Sequence, residues 1–330
     1  MTHPLDCLSS REGYVRLFTD VAFWRPYVRE VCQRHRLTPC EDIRTGIIGT
    51  CPVFIVEERW LVKFFGRLFD GERGFAAEQA AAELLRARPA LPTPALLASG
   101  ALEPPGGDWR WPYLIFELLP GMSLGEVWSE LPHTERLAIA RQMGAWLRAL
   151  HSLPLPVEGV FETGWEGYLC FLDAQRKGCA ERQRAWETLP ASLCEQIEAF
   201  LCPTRHLILP GEAPHLIHAD LTADHLLGRL VDGRWQTAGI IDFGDARTGS
   251  LFYELPALHL QGWAGERPLL EAFLDAYGYC GPTGAAFAQR AMSACLLHSF
   301  NVFDSPACRR VSDKARSLAE LADRWWGIGG

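Results

Sequence analysis

The stretch His218–Asp245 reads HADLTADHLLGRLVDGRWQTAGIIDFGD, and two aspartates stand at matching places in it. Leu216-Ile217 runs into His218-Ala219-Asp220, and Gly239-Ile240-Ile241 runs into Asp242-Phe243-Gly244. Each carboxylate therefore stands where an apolar run breaks off, the two being 22 residues apart and joined by a turn-bearing linker. Short apolar runs of this kind read as buried strands. Acids at the ends of two such strands point to phosphoryl-transfer chemistry. One carboxylate would take the proton of a hydroxyl, and the other would hold magnesium against nucleotide phosphates.

Outward from this stretch, the chain divides into three parts. Residues 1–36 read as an N-terminal helical segment, with apolar positions at helical spacing from about Glu12 to Arg36 and a break or kink expected near Pro26. Residues 37–118 read as a small β-rich lobe. In it, the runs RTGIIGT, CPVFIVEE and RWLVKFFG precede an alanine-rich helix over Phe75–Arg88, stopped by Pro89 and Pro92. Leu96–Gly100 and Trp111–Leu118 complete its sheet, with an acidic Gly/Pro loop (Glu103–Asp108) between them. Leu119-Pro120-Gly121 marks a hinge. Residues 119–330 read as a larger helical lobe, with helices expected over Leu137–His151, Gly167–Arg184, Ala191–Leu201, Leu269–Tyr277, Ala285–Phe303 and Asp313–Trp326. The expected class is α+β with two lobes.

Composition narrows the function. The chain has 330 residues, a hydrophobic share of 48% and a mean hydropathy of −0.02, which suits a water-soluble protein with a large core. Its 11 cysteines form no CxxC pair and no apolar run is long enough to span a bilayer, so a reducing, cytoplasmic setting and no membrane partner are expected. The formal charge of −8 disfavours nucleic acid as partner and suits a small cationic substrate. A monomer or weak dimer is expected. Of the 32 basic residues only Lys63, Lys177 and Lys314 are lysine, and Lys63 stands inside an apolar strand, where an ammonium asks for a reason.

With these parts in this order, the chain resembles the aminoglycoside phosphotransferase family, which shares the protein-kinase-like fold. Within it the chain is most similar to the hygromycin B phosphotransferases. The motifs that carry the resemblance are LVKFFG, WPYLIFELLPGMSL, HADLTADHLL, IIDFGDARTG, LHLQGWAGE and LLHSFNVFD. The resemblance implies that Lys63 reaches the nucleotide α- and β-phosphates and pairs with Glu78, with Glu83 the rival on another helical face. It implies that Gly46, Gly49 and Thr50 line a phosphate loop, and that main-chain groups of Glu117 and Leu119 hold the base of ATP or GTP. Asp220 becomes the base that orients the acceptor hydroxyl, with His218 supporting its loop, and Asp242 the magnesium ligand. Asp224 and Asp245 rank behind these as turn-forming residues.

Two departures stand out. His225 occupies the position where most kinase-like chains put asparagine, and imidazole is a poorer magnesium ligand than an amide oxygen. It can ligate through one nitrogen, bind a metal-held water, or hold Asp220. After the metal motif the chain reads TGSLFYELPAL, with Ser250 and Glu254 where the family has aspartates that anchor the loop. Only about ten residues separate Asp242 from that helix, too few for the peptide-binding segment of a protein kinase. The insert Phe161–Leu201 instead offers Trp165, Glu166 and Asp173 as walls of an acceptor site, where carboxylates suit ammonium groups and indole suits ring faces. The leading expectation is a magnesium-dependent kinase of an aminoglycoside-type antibiotic, with hygromycin B as the named candidate. The alternatives are a kinase of another small hydroxylated metabolite and a nucleotide-binding module without activity.

Overall fold

The computed structural model describes residues 3–86, 88, 91–107 and 109–329; Pro89 and Asp108, named above as a helix stop and a loop end, lie outside them. The chain forms two compact units, Met1–Pro120 with Ala238–Asp245, and Gly121–Thr237 with Ala246–Gly330.

The first unit opens with α1 (Arg11–Leu17) and α2 (Val21–Arg34). The expected break near Pro26 does not occur there, for Pro26 lies inside α2. The break falls at residues 18–20, because Asp20 caps α2 by accepting from the amides of Ala22 and Phe23 at 2.9 and 3.1 Å. Strands β1 (Ile43–Thr45), β2 (Val53–Val56) and β3 (Trp60–Phe64) follow, then α3 (Gly71–Leu85), β4 (Leu96–Leu102) and β5 (Trp111–Glu117). They pair antiparallel in the order β1-β2-β3-β5-β4.

Side chains alternate across this sheet. Trp60, Val62 and Phe64 face the N-terminal helices, where the fully buried Trp24 stacks on Phe64 with ring centroids 4.7 Å apart. On the opposite face Leu61, Phe65, Leu114 and Phe116 pack with Phe75 and Ala82 of α3. Lys63 falls in the register of Leu61 and Phe65, so its side chain belongs to the α3 face.

The second unit begins with β6 (Met122–Ser123), α4 (Leu124–Val127) and α5 (His133–His151). The single helix expected over 167–184 is two, α6 (Glu166–Arg176) and α7 (Cys179–Trp186). They are parted at Gly178, whose φ of 70° is open to glycine and leaves the right-handed helix. Residues 191–201 likewise give two short turns, α8 (Ala191–Cys194) and α9 (Ile197–Phe200). Then come β7 (His215–Ile217), β8 (Leu226–Val231), β9 (Arg234–Ile240), which from Ala238 on belongs to the first unit, and β10 (Arg247–Gly249). β8 lies between β6 and β9, and β7 pairs with β10.

The remaining helices are α10 (Leu251–Pro256), α11 (Arg267–Tyr277), α12 (Gly284–Leu297), α13 (Pro306–Ser312) and α14 (Leu318–Trp326). A π-helical turn over Ala257–Gly262 follows α10. α12 stops at Leu297, six residues short of the expected end, because His298 turns extended with ψ 144°. The helix expected from Asp313 starts at Leu318 instead, where Ser317 caps it by accepting from Glu320. Phe252, Phe273, Phe287 and Trp326 are fully buried in the core of this unit. Among the described residues no helix is long and apolar enough to cross a membrane.

Candidate active site

In the first unit the sheet and α3 bring three charged residues together. Lys63 Nζ lies 2.6 Å from Glu78 Oε2 and 2.8 Å from Asp242 Oδ1. Helical phase explains the partner. Ala77, Glu78, Ala81 and Leu85 form the buried stripe of α3, whereas Glu83 is exposed and accepts from Gln79 at 3.1 Å. Burial opposes charge on Lys63, but Asp242 and Glu78 outweigh it and hold its pKa well above the usual lysine value. Burial pushes the Glu78 carboxyl upward, and the ammonium in contact with it pulls the other way. With both oxygens within hydrogen-bond reach, the ion pair is the form that the geometry supports.

Asp242 follows β9, with φ 67° in the left-handed region. That conformation swings its carboxylate out of the strand toward Lys63. Gly244 lies beside the ion pair: a Cβ there would stand 3.4 Å from Asp242 Oδ1 and 3.5 Å from Glu78 Oε2, in ordinary van der Waals contact. The side chain of Asp242 is 41% exposed. Magnesium is commonly bound by one or two carboxylates together with substrate phosphates. Among the described residues no group of three or more His, Cys, Asp or Glu gathers to hold a metal ion. A single aspartate fits that shared mode and not a cage made of protein alone. Asp245 is engaged locally, 3.6 Å from Arg73 Nη1.

Asp220 and His225 lie in the second unit, in the loop between β7 and β8. Ala219 sits in the left-handed region with φ 68°. Its amide and that of His218 donate to Glu254 Oε2, at 3.4 and 2.7 Å. The Asp220 amide donates to His218 Nδ1 at 3.3 Å, and the His218 ring is fully buried. His225 Nδ1 lies 2.5 Å from the Asp220 carbonyl oxygen. A carbonyl only accepts, so Nδ1 carries a hydrogen and donates it. Of the three uses open to His225, holding the Asp220 loop is the one visible. Asp224 accepts from Ser123, the cap of α4, at 2.9 Å, which makes it a tie within the unit.

The other expected site residues are spread more widely. Gly46 continues the β1–β2 ladder through its amide, 2.8 Å from the Val53 carbonyl, and a Cβ there would come within 2.7 Å of Val53 Cγ1. Gly49 has open space around it, and Thr50 is exposed, its carbonyl accepting from Tyr14 Oη. The Glu117 amide already donates to the Ala95 carbonyl at 2.9 Å, so it is not available to a base. Leu119 packs where a Cβ on Gly239 would otherwise be, 2.5 Å from its Cδ1. Trp165 caps α6 and Glu166 opens it, exposed. Asp173 accepts from Thr204 at 2.8 Å, so it is committed to a local tie.

Sequence reasoning gave no role to Tyr14 or His298. Tyr14 lies in α1 yet reaches the Thr50 carbonyl, and His298 follows α12. Neither contact has a local pattern that announces it. The LLHSFNVFD motif is the one signal that pointed toward His298.

Residues 51–292 match the phosphotransferase enzyme family (APH). The chain belongs to that family. Its fold is the protein-kinase-like APH fold, a small antiparallel-sheet lobe and a helical lobe, as the sequence led one to expect. The GDP complex of wild-type aminoglycoside 2'-phosphotransferase-IIIa is 18% identical, covers 91% of this chain and 97% of its own, and gives a TM-score of 0.62. A microcompartment-associated aminopropanol kinase is 15% identical over 89% of this chain and 94% of its own, with a TM-score of 0.55. At such identities the likeness establishes the fold. The lysine-specific demethylase JMJ21 of Arabidopsis thaliana is 24% identical over 59% of this chain and 26% of its own length. The chain thus spans about a quarter of the length of this curated relative.

Proposed function

We propose that this APH chain transfers the γ-phosphate of ATP or GTP to a hydroxyl of an aminoglycoside-type antibiotic, with hygromycin B among the candidates. The observation that carries the reading is the Lys63–Glu78–Asp242 ion triad. A protonated lysine held rigidly between two carboxylates is pre-set to bind the nucleotide's α- and β-phosphates. Asp242 would hold magnesium, which supplies positive charge to the phosphates when bound. Residues 37–118 would carry the nucleotide and residues 119–330 the acceptor. Asp220 would orient the acceptor hydroxyl and receive its proton. Most of the rate gain would then come from positioning and charge neutralisation.

The acceptor class draws support from the family, from the net charge of −8 and from Trp165 and Glu166 at the exposed start of α6. Ammonium groups of an amino sugar would seek such carboxylates, and its ring face would seek the indole.

A second reading, a kinase of another small hydroxylated metabolite, is favoured by Arg247. Its guanidinium lies 3.6 Å over the Phe171 ring, on β10 opposite Ile217, three residues before Asp220. A fixed cation there is a poor neighbour for a polycationic drug.

One experiment separates the readings. Purified protein with magnesium and either ATP or GTP is incubated with kanamycin, gentamicin, streptomycin, hygromycin B and simple amino alcohols, and each compound is weighed by mass spectrometry. A phosphate-sized gain on an aminoglycoside supports the first reading, and a gain confined to amino alcohols supports the second. No gain on any of them counts against both.

A further inference from the structure

Glu254 and His298 are both fully buried in the second unit, and both interact with the main chain of Ala219. Glu254 Oε2 takes the Ala219 amide at 3.4 Å. The His298 ring lies flat on Tyr253, centroids 4.6 Å apart at 12°. Its Nδ1 accepts the Phe300 amide at 3.2 Å. An accepting Nδ1 places the ring hydrogen on Nε2. That second nitrogen is buried and among the described residues finds no partner of full hydrogen-bond geometry, while the main chain of Ala219 acts on the ring. A buried N–H left so is costly unless something closes on it. The Ala219 amide is taken by Glu254, which leaves its carbonyl as the acceptor, on a residue held at φ 68° directly before Asp220.

We propose that His298 is a positioning residue, whose Nε2–H engages the Ala219 carbonyl and, with Glu254 on the amide side, fixes the left-handed turn that aims Asp220. The inference rests on the role proposed for Asp220. A left-handed non-glycine residue relaxes unless its surroundings over-determine it. Two groups acting on the two ends of one residue restrain both its φ and its ψ. Burial, and Arg247 nearby, lower the His298 pKa to about 3, so the ring is a neutral donor throughout the working range. It moves no proton in the reaction and touches neither substrate.

The test uses the whole chain and the variants His298→Phe and His298→Gln. Phenylalanine keeps the stack on Tyr253 and removes the donor, while glutamine offers an N–H again. Hydrogen exchange read by mass spectrometry should be about tenfold faster in the peptide spanning 216–222 of the phenylalanine variant. Peptides from α12 and α14 should stay as in the wild type, and the glutamine variant should fall between. Transfer from ATP or GTP to kanamycin, or to water, should show kcat lowered about 10–100-fold with nucleotide affinity unchanged.

Wild-type exchange over 216–222 in the phenylalanine variant, or faster exchange spread evenly over the unit, overturns the proposal. If that variant does not fold, His298→Met, pliable and equally without a donor, is read by the same measures. A wild-type protein that transfers phosphate to nothing would sink the proposed function, whereas the exchange pattern would still decide the role of His298.

Discussion

Glu254 Oε2 stands 2.7 Å from the main-chain nitrogen of His218, two residues ahead of Asp220. A carboxylate fully inside the second unit thus ties the start of the Asp220 loop to α10. Ser250, the other departure from the family pattern, is equally tied, donating to the Leu207 carbonyl at 2.7 Å and lying 3.0 Å from Tyr168 Oη. Both substitutions keep an anchoring contact with a different side chain.

Glu254 carries a pH signature. Burial, with Asp220 nearby, pushes its carboxyl up from 4.5 to about 7 despite the two amides that favour the charged form. The folded chain then holds this proton more tightly than the unfolded chain. Stability is fullest below about 4.5 and falls as pH rises to 7. Glu254→Gln removes the titration. The variant's stability relative to wild type should improve by about 2 kcal/mol from pH 5 to pH 8, read by urea unfolding. An equal difference at both values would mean that Glu254 titrates as an ordinary carboxyl.

His215 has the opposite sign. It stacks on His151 with centroids 4.0 Å apart and lies 3.6 Å from Glu212, and burial lowers its pKa to about 4. Its contribution to stability is whole above pH 6.5 and is lost as pH falls toward 4. Compared with His215→Phe, the wild type should lose about 2 kcal/mol more on going from pH 8 to pH 5. Parallel unfolding curves for the two proteins would rule this out.

Lys63→Met leaves Glu78 buried without its cation. Destabilisation of about 3 kcal/mol is expected at pH 8, and less at pH 6, where Glu78 can take up a proton instead. Denaturant midpoints at the two values measure it. Phosphoryl transfer should also fall by about a hundredfold or more. Unchanged transfer would remove Lys63 from the proposed nucleotide site.

Asp220→Asn keeps the shape of the side chain and removes the proposed base. The expected fall in kcat is about 10²–10⁴-fold. Nucleotide affinity, read by calorimetry, should stay within about twofold of the wild type. Full activity in this variant would remove Asp220 from its proposed role.

Much of the fold was legible because strand alternation and the breaks in apolar runs are local signals. The strands of the first unit and the loops bearing Asp220 and Asp242 follow from them. Helix ends were harder to read. Asp20 capped α2 where Pro26 had drawn attention, and Gly178 divided a helix whose apolar spacing ran on without interruption. At the candidate site, the contact of Lys63 with Glu78 follows from helical phase, which a sequence displays. The joint approach of Glu254 and His298 to Ala219 joins residues 35 and 79 positions away, and no spacing rule reaches that far.

Trp24 is fully sheltered beneath the sheet, against Phe64 and Trp111, and its indole donates to the Leu17 carbonyl at 2.9 Å. The strand that bears Lys63 therefore has a roof built by the first thirty-odd residues. A shortened version of this chain trimmed to its recognised motifs would lay bare the apolar face of that strand, so the leading helices belong in any engineered variant.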